Sequence, residues 1–565
     1  MPALAWGGVH VSIPVDGSEG DPGSGRTEGT GGVAGDETAD SEAAGGGPHA
    51  LLSVRDLRGT PARWLGIFGA SLAALLVRFL VPVPVGQADN RDGPRLMCGR
   101  PLGMEPVFPR GDPRFFRYAY FQYASSPLCH HRLPYPTSEL GPLLAARVLT
   151  PVFGLPGQLN LIALGVLMCA LASVGIASLA TGLRMRLRAQ VLMAAAIWVI
   201  IADAAFFDVF AGPFEEPAAL AGLLLVAAGL VYLGRDKRAT IFGLVLAGSG
   251  GFLAILSKEQ YLILAVPICP AIVLASVSRN SSGLPWRQRF MTWQTGAASM
   301  IAVALAVLAG GYAYVDATSF YGQRLHHLQT IDAIFMNIVN GHDNARADLR
   351  ALGLPQSWAK YAGKYYWAEG SVRADPRWHR YAAELTDTNV ARFLLTHPGR
   401  LISIGQQAAI QAQRSRVTQL GTYPPGSGHR RGAYESRVVV VTWLLHQLPV
   451  NLGLYWLIPL WLSMAAIALM ALRRHRLPWH RDGALTALCL IGCAMVAFIP
   501  PAFFDGISAT RHMVGTNLAT DLSVVLGVAL AVSMIPQAVT GARQRGTGAA
   551  AAPAAPAPSQ PQSAR

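Results

Sequence analysis

Residues 64–85 read WLGIFGASLAALLVRFLVPVPV, and residues 87–95, almost directly behind them, read QADNRDGPR. The first stretch is an apolar run of the length that an α-helix needs to cross a bilayer. The second places Asp89 and Asp92, with two arginines beside them, where that helix would leave the membrane. Membrane insertion does not require acids at this position, and exposed loops often carry functional residues. We therefore interpret the acidic stretch as the beginning of a functional site.

The composition of the whole chain, like its first apolar run, is typical of a membrane protein. Of its 565 residues, 52% are hydrophobic and only 14% are charged, and the mean hydropathy is +0.34. Soluble proteins carry about 25% charged residues. Since the apolar residues are grouped in segments near bilayer length, the sequence predicts an all-α polytopic membrane protein and excludes a soluble enzyme.

About ten transmembrane helices fit the pattern of apolar segments. We expect them at residues 64–85, 158–182, 190–207, 217–233, 240–256, 261–277, 296–316, 450–471, 484–503 and 516–537.

The short connections between these segments predict the orientation of the chain. Thirteen Lys and Arg residues fall in the connections on one side, and only Lys258 and Arg511 fall in the short connections on the other. Because positive residues remain preferentially in the cytoplasm, the basic connections and both termini are expected inside. Much of the formal net charge of +14 is then a consequence of topology, so we predict no nucleic-acid partner. The basic connections contain Arg184, Arg186, Arg188, Arg235, Lys237, Arg238, Arg279, Arg287, Arg289, Arg473, Arg474, Arg476 and Arg481.

Five regions follow from this topology. They are a disordered cytoplasmic N-terminal tail at 1–60, seven helices in 61–316 with a long outer loop at 86–157, a helical extracytoplasmic domain at 317–449, three helices in 450–537, and a disordered cytoplasmic C-terminal tail at 538–565. The tails are rich in small and polar residues that have little apolar surface to bury. In the domain, Thr386 or Asp387 is expected to cap a helix, and residues 438–448 are expected to be interfacial or re-entrant. Cys98 and Cys129 share the loop 86–157, so they could form a disulfide if that side is oxidising.

Two further acids lie at the start of the fourth apolar segment. Glu215 and Glu216 precede Pro217, and acids with a proline suit the first turn of a helix. That structural explanation accounts for their position, but a pair of glutamates facing a site could also bind sugar hydroxyls or a divalent cation.

Lys258 and Arg511 are the two basic residues in the short outer connections, where the preference of positive residues for the cytoplasm predicts few. Lys258 could pair with the neighbouring Glu259, or it could contact a lipid-linked phosphate. Arg511, followed by His512, could pair with Asp505, or it could bind phosphate in a bidentate manner. Both cations lie on the side of the acidic stretch, which favours phosphate contact.

Aromatic and histidine clusters have simpler explanations. Trp358, Tyr361, Tyr365, Tyr366 and Trp367 could stack on sugars, but the core of a small domain or an interfacial belt is the preferred interpretation. The pairs His130-His131 and His326-His327 lack partners at zinc-binding spacing and are interpreted as surface residues.

Several of these motifs resemble one family. The stretch Ala88-Asp89-Asn90-Arg91-Asp92 after the first helix is similar to the Ala-Asp-Asn-x-Asp motif of bacterial glycan-biosynthesis hexose transferases, which belong to the GT-C superfamily of membrane glycosyltransferases. Other similar segments are Phe214–Ala218, Ser257–Gln260, Ala347–Pro355, His397–Arg400 and the turn Asp505–His512. The sequence departs from the family at Arg91, where glycine is usual, so the level of activity depends on where that arginine points.

The resemblance implies a GT-C-like fold and a membrane glycosyltransferase. The donor would be a polyprenyl-phosphate hexose and the acceptor a cell-envelope glycan or a lipid-linked glycan, within the surrounding membrane lipid. The protein would lie in the bacterial plasma membrane with an extracytoplasmic site.

Roles for the individual residues follow from the same resemblance. Asp89 would be the catalytic base, with Asp92 beside it, and single displacement would invert the anomeric centre. Lys258, Arg511 and His512 would bind the donor phosphate, while Glu215, Glu216 and Asp505 would bind the acceptor or a metal. No cofactor is certain, although these acids are compatible with a divalent cation such as Mg²⁺ or Mn²⁺.

Two alternatives from other classes remain. A transporter or flippase for a lipid-linked glycan would need polar residues in the middle of the membrane, for which Asp203 and Asp521 are the nearest candidates. An inactive scaffold in envelope assembly is the other alternative, and Arg91 in the acidic motif keeps it open.

Overall fold

The computed structural model of the chain describes most residues between 54 and 549. The described ranges are 54–90, 92–99, 101–107, 116–129, 135–277, 292–340, 344–381, 384–449, 452–474, 477, 479–506 and 509–549, and the side chains of 54–60, 320, 321, 324, 509 and 536–549 are not among them. Arg91, the pair His130-His131 and the greater part of both predicted tails lie outside the described residues.

Nineteen α-helices occur in these ranges. In chain order they are α1 Val54–Leu80, α2 Gly93–Met97, α3 Leu140–Val152, α4 Leu161–Gly182, α5 Leu187–Ala202, α6 Ala204–Phe207, α7 Glu216–Leu230, α8 Lys237–Ile255, α9 Ala265–Ser276, α10 Trp293–Thr318, α11 Phe320–Asp332, α12 Ala345–Ala351, α13 Asp387–Thr396, α14 Pro398–Arg414, α15 Val440–His446, α16 Leu454–Arg474, α17 His480–Phe503, α18 Ala509–His512 and α19 Val514–Ala549.

Eight helical segments of the described chain are long and apolar enough to cross a membrane. They are Pro61–Leu80, Leu161–Gly182, Lys237–Ile255, Glu259–Ser276, Trp293–Thr318, Leu454–Arg474, His480–Phe503 and Val514–Ile535. A ninth span is formed if the helices Leu187–Ala202 and Ala204–Ala211, bent by 58° at Asp203, count as one. The chain is therefore a multi-pass helical membrane protein, as the composition predicts.

The predicted count of ten is not confirmed within the described ranges, where the segment expected at 217–233 forms the short helix α7. It has 15 residues, and all of them are buried. Helices α4 and α8 pack directly against it. A helix that is apolar on every side is covered by protein rather than by lipid, so α7 need not match the thickness of the bilayer.

Small residues bring α7 and α8 into close contact. A Cβ atom added at Gly222 would lie 2.5 Å from the backbone nitrogen of Ala254, and one added at Gly229 would lie 2.5 Å from that of Ala247. Glycines that allow two backbones to approach are typical of helix interfaces in membranes. This close contact with α8 fixes the position of α7 and of the two glutamates at its beginning.

The segment 86–157 contains a small sheet in addition to α2 and α3. Strands β1 Met104–Pro106, β2 Gln122–Ser125 and β3 Leu159–Asn160 pair antiparallel in the order β1-β2-β3, with Met104 opposite Ser125 and Tyr123 opposite Leu159. Cys98 and Cys129 form a disulfide, as their shared loop allows. The bond joins the end of α2 to the residues that follow β2.

The segment 317–449 contains a second apolar core, separate from that of the membrane helices. Trp358 and Tyr361 are buried in it, and Trp358 donates to Asp375. Their preferred interpretation as core residues is confirmed, whereas Tyr365 and Trp367 are exposed. Thr386 caps α13, since its side chain accepts from the backbone N–H of Asn389.

Both ends of the described chain are helical. The first helix begins at Val54, within the N-terminal tail predicted at 1–60, and the last continues to Ala549, beyond residue 538 where the C-terminal tail is predicted to begin. Residues 550–565 lie outside the described ranges.

Candidate functional site

The acidic stretch is held between two distant parts of the chain. The backbone N–H groups of Gly86 and Ala88 donate to the carbonyls of Thr422 and Gly421 at 3.0 and 2.8 Å. Asp89 follows directly, and its Oδ1 accepts a hydrogen bond of 2.9 Å from the N–H of Gly93, the first residue of α2. Asp89 is buried at the helix end, so its carboxylate has a defined position.

Asp92 meets Arg511, which lies 419 positions further along the chain. The Nη2 atom of Arg511 lies 2.5 Å from Oδ2 of Asp92, and the guanidinium lies over the ring of Phe214 at 4.8 Å. Arg511 is only 2% exposed, and its Nη1 has no hydrogen-bond partner among the described residues. A buried guanidinium with an unused donor is suited to an anionic ligand.

Glu215 and Glu216, at the start of α7, each meet a different cation. The Nη2 atom of Arg95 lies 2.6 Å from Oε1 of Glu215, and Nζ of Lys258 lies 3.3 Å from Oε1 of Glu216. Arg511 is also close to Glu216, with Nε at 3.5 Å from the same oxygen. Both glutamates are essentially inaccessible, and both keep an Oε2 atom without a hydrogen-bond partner in the described part of the chain.

His512 connects the cations to a further acid. Its Nδ1 contacts Asp505, and its Nε2 lies 3.2 Å from Nζ of Lys258 and 2.8 Å from Nη2 of Arg511. Lysine and arginine can only donate, so Nε2 must accept and the ring proton belongs on Nδ1, where it points to Asp505. Burial, followed by the charge of Lys258, lowers the pKa of His512 to about 3. The imidazole is therefore neutral at physiological pH and orients the two cations without adding charge.

The charges around Asp92 keep it ionised. Desolvation by the surrounding protein acts to raise the pKa of Asp92, but the positive charges of Arg511, Arg95 and Lys258 outweigh it and hold that pKa well below its usual range. A carboxylate with so low a pKa is a poor proton acceptor and a good electrostatic partner. Asp92 is thereby suited to orienting Arg511 rather than to removing a proton.

Lys258, Arg511 and Arg95 each meet an acid that is distant in sequence. The alternative to phosphate contact, an ion pair of Arg511 with Asp505, is not what the structure shows, because Arg511 meets Asp92 while Asp505 contacts His512. For Lys258, the alternative to phosphate contact was a pair with Glu259, and the structure places it at Glu216. Arg95 pairs with Glu215, while its charge still acts on Asp92. In each case, helix packing brings a distant group closer than the adjacent one.

Glu259, Tyr135 and Gln329 extend the site beyond the residues predicted from sequence. The hydroxyl of Tyr135 donates to Oε2 of Glu259 at 2.7 Å, and its ring lies under the guanidinium of Arg95 at 4.4 Å. Gln329, on α11, donates to Oε1 of Glu259 at 3.4 Å. Glu259 could have been predicted as a site residue because it follows Lys258 in the sequence, but no sequence pattern marks Tyr135 or Gln329.

Glu139 is a further buried acid that the sequence does not reveal. It precedes α3, and its Oε2 accepts a 2.7 Å hydrogen bond from the N–H of Ala218 in the first turn of α7. Burial raises the pKa of Glu139 well above its ordinary value, and the neighbouring Glu215 and Glu216 raise it further. Glu139 thus holds the helix end that carries the two glutamates.

A second ionic cluster supports the chain on either side of the site. Asp208 lies 3.1 Å from Nη2 of Arg416 and 3.8 Å from Nη2 of Arg78, and Arg78 also contacts Glu435. These contacts join α1, the bend after α6 and the segment that pairs with Gly86 and Ala88. Breaking a buried pair of this kind by removing one partner typically costs about 3–5 kcal/mol.

The predicted acids do not form a cluster suited to a divalent cation. Glu215, Glu216, Asp92 and Asp505 contact Arg95, Lys258, Arg511 and His512 respectively, so each carboxylate already faces a basic side chain. Mg²⁺ and Mn²⁺ require several oxygen ligands around one point, and nearby cations oppose their binding. Among the described residues, the one group with metal-ligand spacing is Cys98, Glu105 and Cys129, and its two cysteines form the disulfide.

Comparison with known proteins gives a family for the membrane region. The family described as the YfdI N-terminal transmembrane domain matches residues 54–542, which contain every residue of the site described above. Neither a curated protein nor a solved structure matches the chain.

Proposed function

Because the chain belongs to the family of the YfdI N-terminal transmembrane domain, we propose that it is a membrane glycosyltransferase that uses a polyprenyl-phosphate hexose. It transfers the hexose to a cell-envelope glycan or a lipid-linked acceptor on the extracytoplasmic face of the bacterial plasma membrane. The observation that carries the proposal is the ion pair between Asp92 and Arg511. It joins the acidic stretch after the first membrane helix to Arg511, which precedes the last one.

The donor phosphate is bound by the cations of the site. Arg511 has an unused donor at Nη1, and Nε2 of His512 lies 2.8 Å from Nη2 of Arg511 and 3.2 Å from Nζ of Lys258, so the histidine holds the two cations together. A phosphate that enters replaces carboxylates as the partner of Lys258 and Arg511. Stabilising the charge that develops on a departing phosphate is an electrostatic task suited to fixed cations in a dry site.

Asp89 acts as the base. The oxygen of an acceptor hydroxyl attacks the anomeric carbon, its proton passes to the Asp89 carboxylate, and the bond from the anomeric carbon to the phosphate oxygen breaks to release polyprenyl phosphate. One displacement inverts the anomeric centre. The four neighbouring acids already face basic groups, so no step of this mechanism requires a metal ion.

Replacing Asp89 with asparagine tests the proposal. Asparagine keeps an oxygen that can accept from Gly93 N–H, so the fold is preserved while the base is lost. In liposomes with radiolabelled polyprenyl-phosphate hexose, Asp89→Asn is expected to reduce transfer by about 10²–10⁴-fold while lipid binding persists. The matched control is Glu369→Gln, an exposed acid of the segment 317–449, which should transfer normally.

The same experiment separates the enzyme from a transporter. If labelled lipid changes leaflet without transfer, and does so equally in the native protein and Asp89→Asn, the protein is a flippase and the proposal is wrong. If neither event occurs with any acceptor fraction, a scaffold is favoured.

A further inference from the structure

A polar cavity of about 420 Å³ lies beside the ionic site. One wall is a face of α14, on which Ser403, Gln407, Gln411 and Arg414 follow one another at helical spacing. The opposite wall includes Asn337, from the π-helical turn Ala333–Ile338 after α11, and Thr510, the residue before Arg511. The volume is in the range of small-molecule binding pockets, which is roughly 300–1,000 Å³.

The cavity is connected to the acidic stretch through its third wall. The residues 416, 418 and 419 line the cavity, and the next apolar residues, Val417 and Leu420, pack with Ala88 and Phe214. Ala88 precedes Asp89, and Phe214 carries the guanidinium of Arg511. The segment 416–420 thus has one side at the cavity and the other against the residues that precede the proposed base and support the phosphate-binding arginine.

The lining chemistry favours a ligand with many hydroxyl groups. Amides of Asn337, Gln407 and Gln411 and hydroxyls of Ser403 and Thr510 line the cavity, and an amide carries both donors and an acceptor. The Asn337 amide already donates to the carbonyls of residues 502 and 505 at 3.5 and 3.2 Å. Thr510 and Gln411 are already joined by a 2.9 Å hydrogen bond, which aligns the two walls. Most small-molecule pockets are predominantly apolar, so a lining of this kind indicates a polar ligand.

The charge of the lining favours an anion. Arg400, Arg414 and Arg416 line the cavity, and no Asp or Glu is among its described lining residues. Arg400 and Arg416 ion-pair behind the wall with Asp348 and Asp208 at 3.2 and 3.1 Å. Arg414 has no acidic partner among the described residues, and its contact is with Gln411 at 3.5 Å. One guanidinium at the end of α14 is thus available for a ligand.

We propose that this cavity binds the acceptor of the reaction as a hydroxyl-rich carbohydrate carrying a negatively charged phosphate or carboxylate, with that charge at Arg414. The identity of the ligand as the acceptor rests on the proposed glycosyl transfer, whereas the existence of the site rests on the cavity and its lining.

Protection of an introduced cysteine tests the site without any measurement of transfer. Ser403→Cys in membranes is treated with a charged thiol reagent, and the native protein, whose free cysteines lie in membrane helices, gives the background. Glucose 1-phosphate and glucuronate are the two anionic probes, and methyl glucoside and inorganic phosphate are the probes that lack one of the two features. At least one anionic sugar is expected to slow modification of the cysteine, with an effect that saturates as its concentration rises. Protection by glucose 1-phosphate would identify phosphate as the charged group of the ligand, and protection by glucuronate would identify carboxylate.

Two variants sharpen the result. Adding Arg414→Gln should weaken the protective binding about tenfold, as expected for loss of one charged hydrogen-bonding partner. Leu395→Cys on α13, 80% exposed and outside the cavity, should show no protection by any probe. The site is rejected if no anionic sugar protects, if inorganic phosphate alone protects as well, or if Arg414→Gln leaves protection unchanged.

Failure of this proposal is distinguishable from failure of the proposed function. If a probe protects Ser403→Cys but Asp89→Asn and the native protein transfer hexose equally, the carbohydrate site exists and its role in transfer is wrong. If transfer depends on Asp89 but no probe protects Ser403→Cys, the protein is a glycosyltransferase and this cavity is not its carbohydrate site.

Discussion

Gly93 shows how closely single residues are fitted around the proposed base. A Cβ atom added there would lie 2.6 Å from Oδ2 of Asp89, closer than real Cβ contacts occur. The hydrogen bond from Gly93 N–H to the other oxygen of Asp89 leaves the carboxylate little freedom to move aside. The glycine therefore sets the position of the carboxylate as much as Asp89 itself does.

Gly93→Ala is expected to displace the Asp89 carboxylate and lower the rate of transfer by about 10²-fold, because small misplacements of catalytic groups have effects of that size. The measurement is the transfer rate in liposomes, together with thermal unfolding to show that the fold persists. Gly66→Ala on α1 is the matched control, since a Cβ atom at Gly66 would meet no atom within 4 Å. Normal transfer by Gly93→Ala would argue against Asp89 as the base.

Lys258 is a buried cation whose removal leaves charges without partners. It is 3% exposed and lies 3.3 Å from Glu216. We expect Lys258→Met to lower the free energy of unfolding by about 3–5 kcal/mol, and addition of Glu216→Gln to restore part of that loss by removing the uncompensated charge. Thermal unfolding in detergent of both single variants and the double variant measures this coupling. Lys237→Met, at an exposed helix start, is the control, and additive losses in the double variant would contradict a direct pairing.

At the scale of elements, short helices and bends position the site. Helix α7 is buried along its length between α4 and α8, and Glu139 binds the N–H of Ala218 in its first turn. The bend at Asp203 is held in a similar way, because the carboxylate of Asp203 accepts from the N–H groups of Ala205 and Val441. That contact anchors α15, the short helix found where the sequence predicts an interfacial or re-entrant segment.

A histidine joins three helices at the beginning of the segment 317–449. Nε2 of His326, on α11, lies 2.7 Å from Asp316 at the end of α10, and Nδ1 lies 3.6 Å from Asp387 at the start of α13. His326 was predicted to be a surface residue, and its side chain is 38% exposed, although it is paired with both aspartates. Hydrogen bonds to Asp316 and then Asp387 raise the pKa of His326 to about 10.

This contact is expected to depend on pH. Because the pKa is raised on folding from 6.5 to about 10, the stability it contributes is fully present below pH 6.5 and is lost as the pH rises toward 10. The thermal stability of the native protein should thus exceed that of His326→Gln below pH 6.5, by about 1 kcal/mol or less given the exposure, and the difference should vanish near pH 10. His379→Gln, an exposed histidine of the same segment, provides the control, and a pH-independent difference would refute the role of protonation.

At the scale of the whole molecule, the site is assembled by the packing of helices that lie far apart in sequence. Asp92 follows the first membrane helix, Glu216 begins α7, and Arg511 precedes the last helix, yet all three side chains lie in one network. On the far side of the helices, Arg235 pairs with Asp482 at 2.9 Å. The acidic site and the arginine-rich connections are therefore at opposite ends of the bundle, as the charge asymmetry requires if it reflects topology.

The predicted orientation can be tested with single cysteines at the two ends. A membrane-impermeant thiol reagent should label Leu395→Cys, on α13, in right-side-out vesicles and should leave Lys237→Cys, at the start of α8, unlabelled until the vesicles are opened. Both positions are exposed, so access to the residue itself is not limiting. Inside-out vesicles should show the reverse pattern. Labelling of Lys237→Cys from outside would invert the topology and place the site in the cytoplasm.

The sequence by itself determined the class, a helical multi-pass membrane protein, and selected several of the polar residues that the structure brings together. Apolar segments of bilayer length and a charge bias between connections depend on local composition, so they can be recognised without knowledge of how the helices pack. For the same reason Asp89, Asp92, Glu215, Glu216, Lys258, Arg511 and His512 could be selected, since each is a polar residue at the end of an apolar segment.

Only the tertiary structure decided which of these residues meet. Arg511 pairs with Asp92 rather than Asp505, Lys258 with Glu216 rather than Glu259, and Glu139 joins the site without any motif to mark it. It also decided that α7 is a short buried helix and that α14 turns a polar face toward a cavity. These outcomes depend on helix packing between positions hundreds of residues apart, and a buried ion pair forms where packing brings opposite charges together, whatever their separation along the chain.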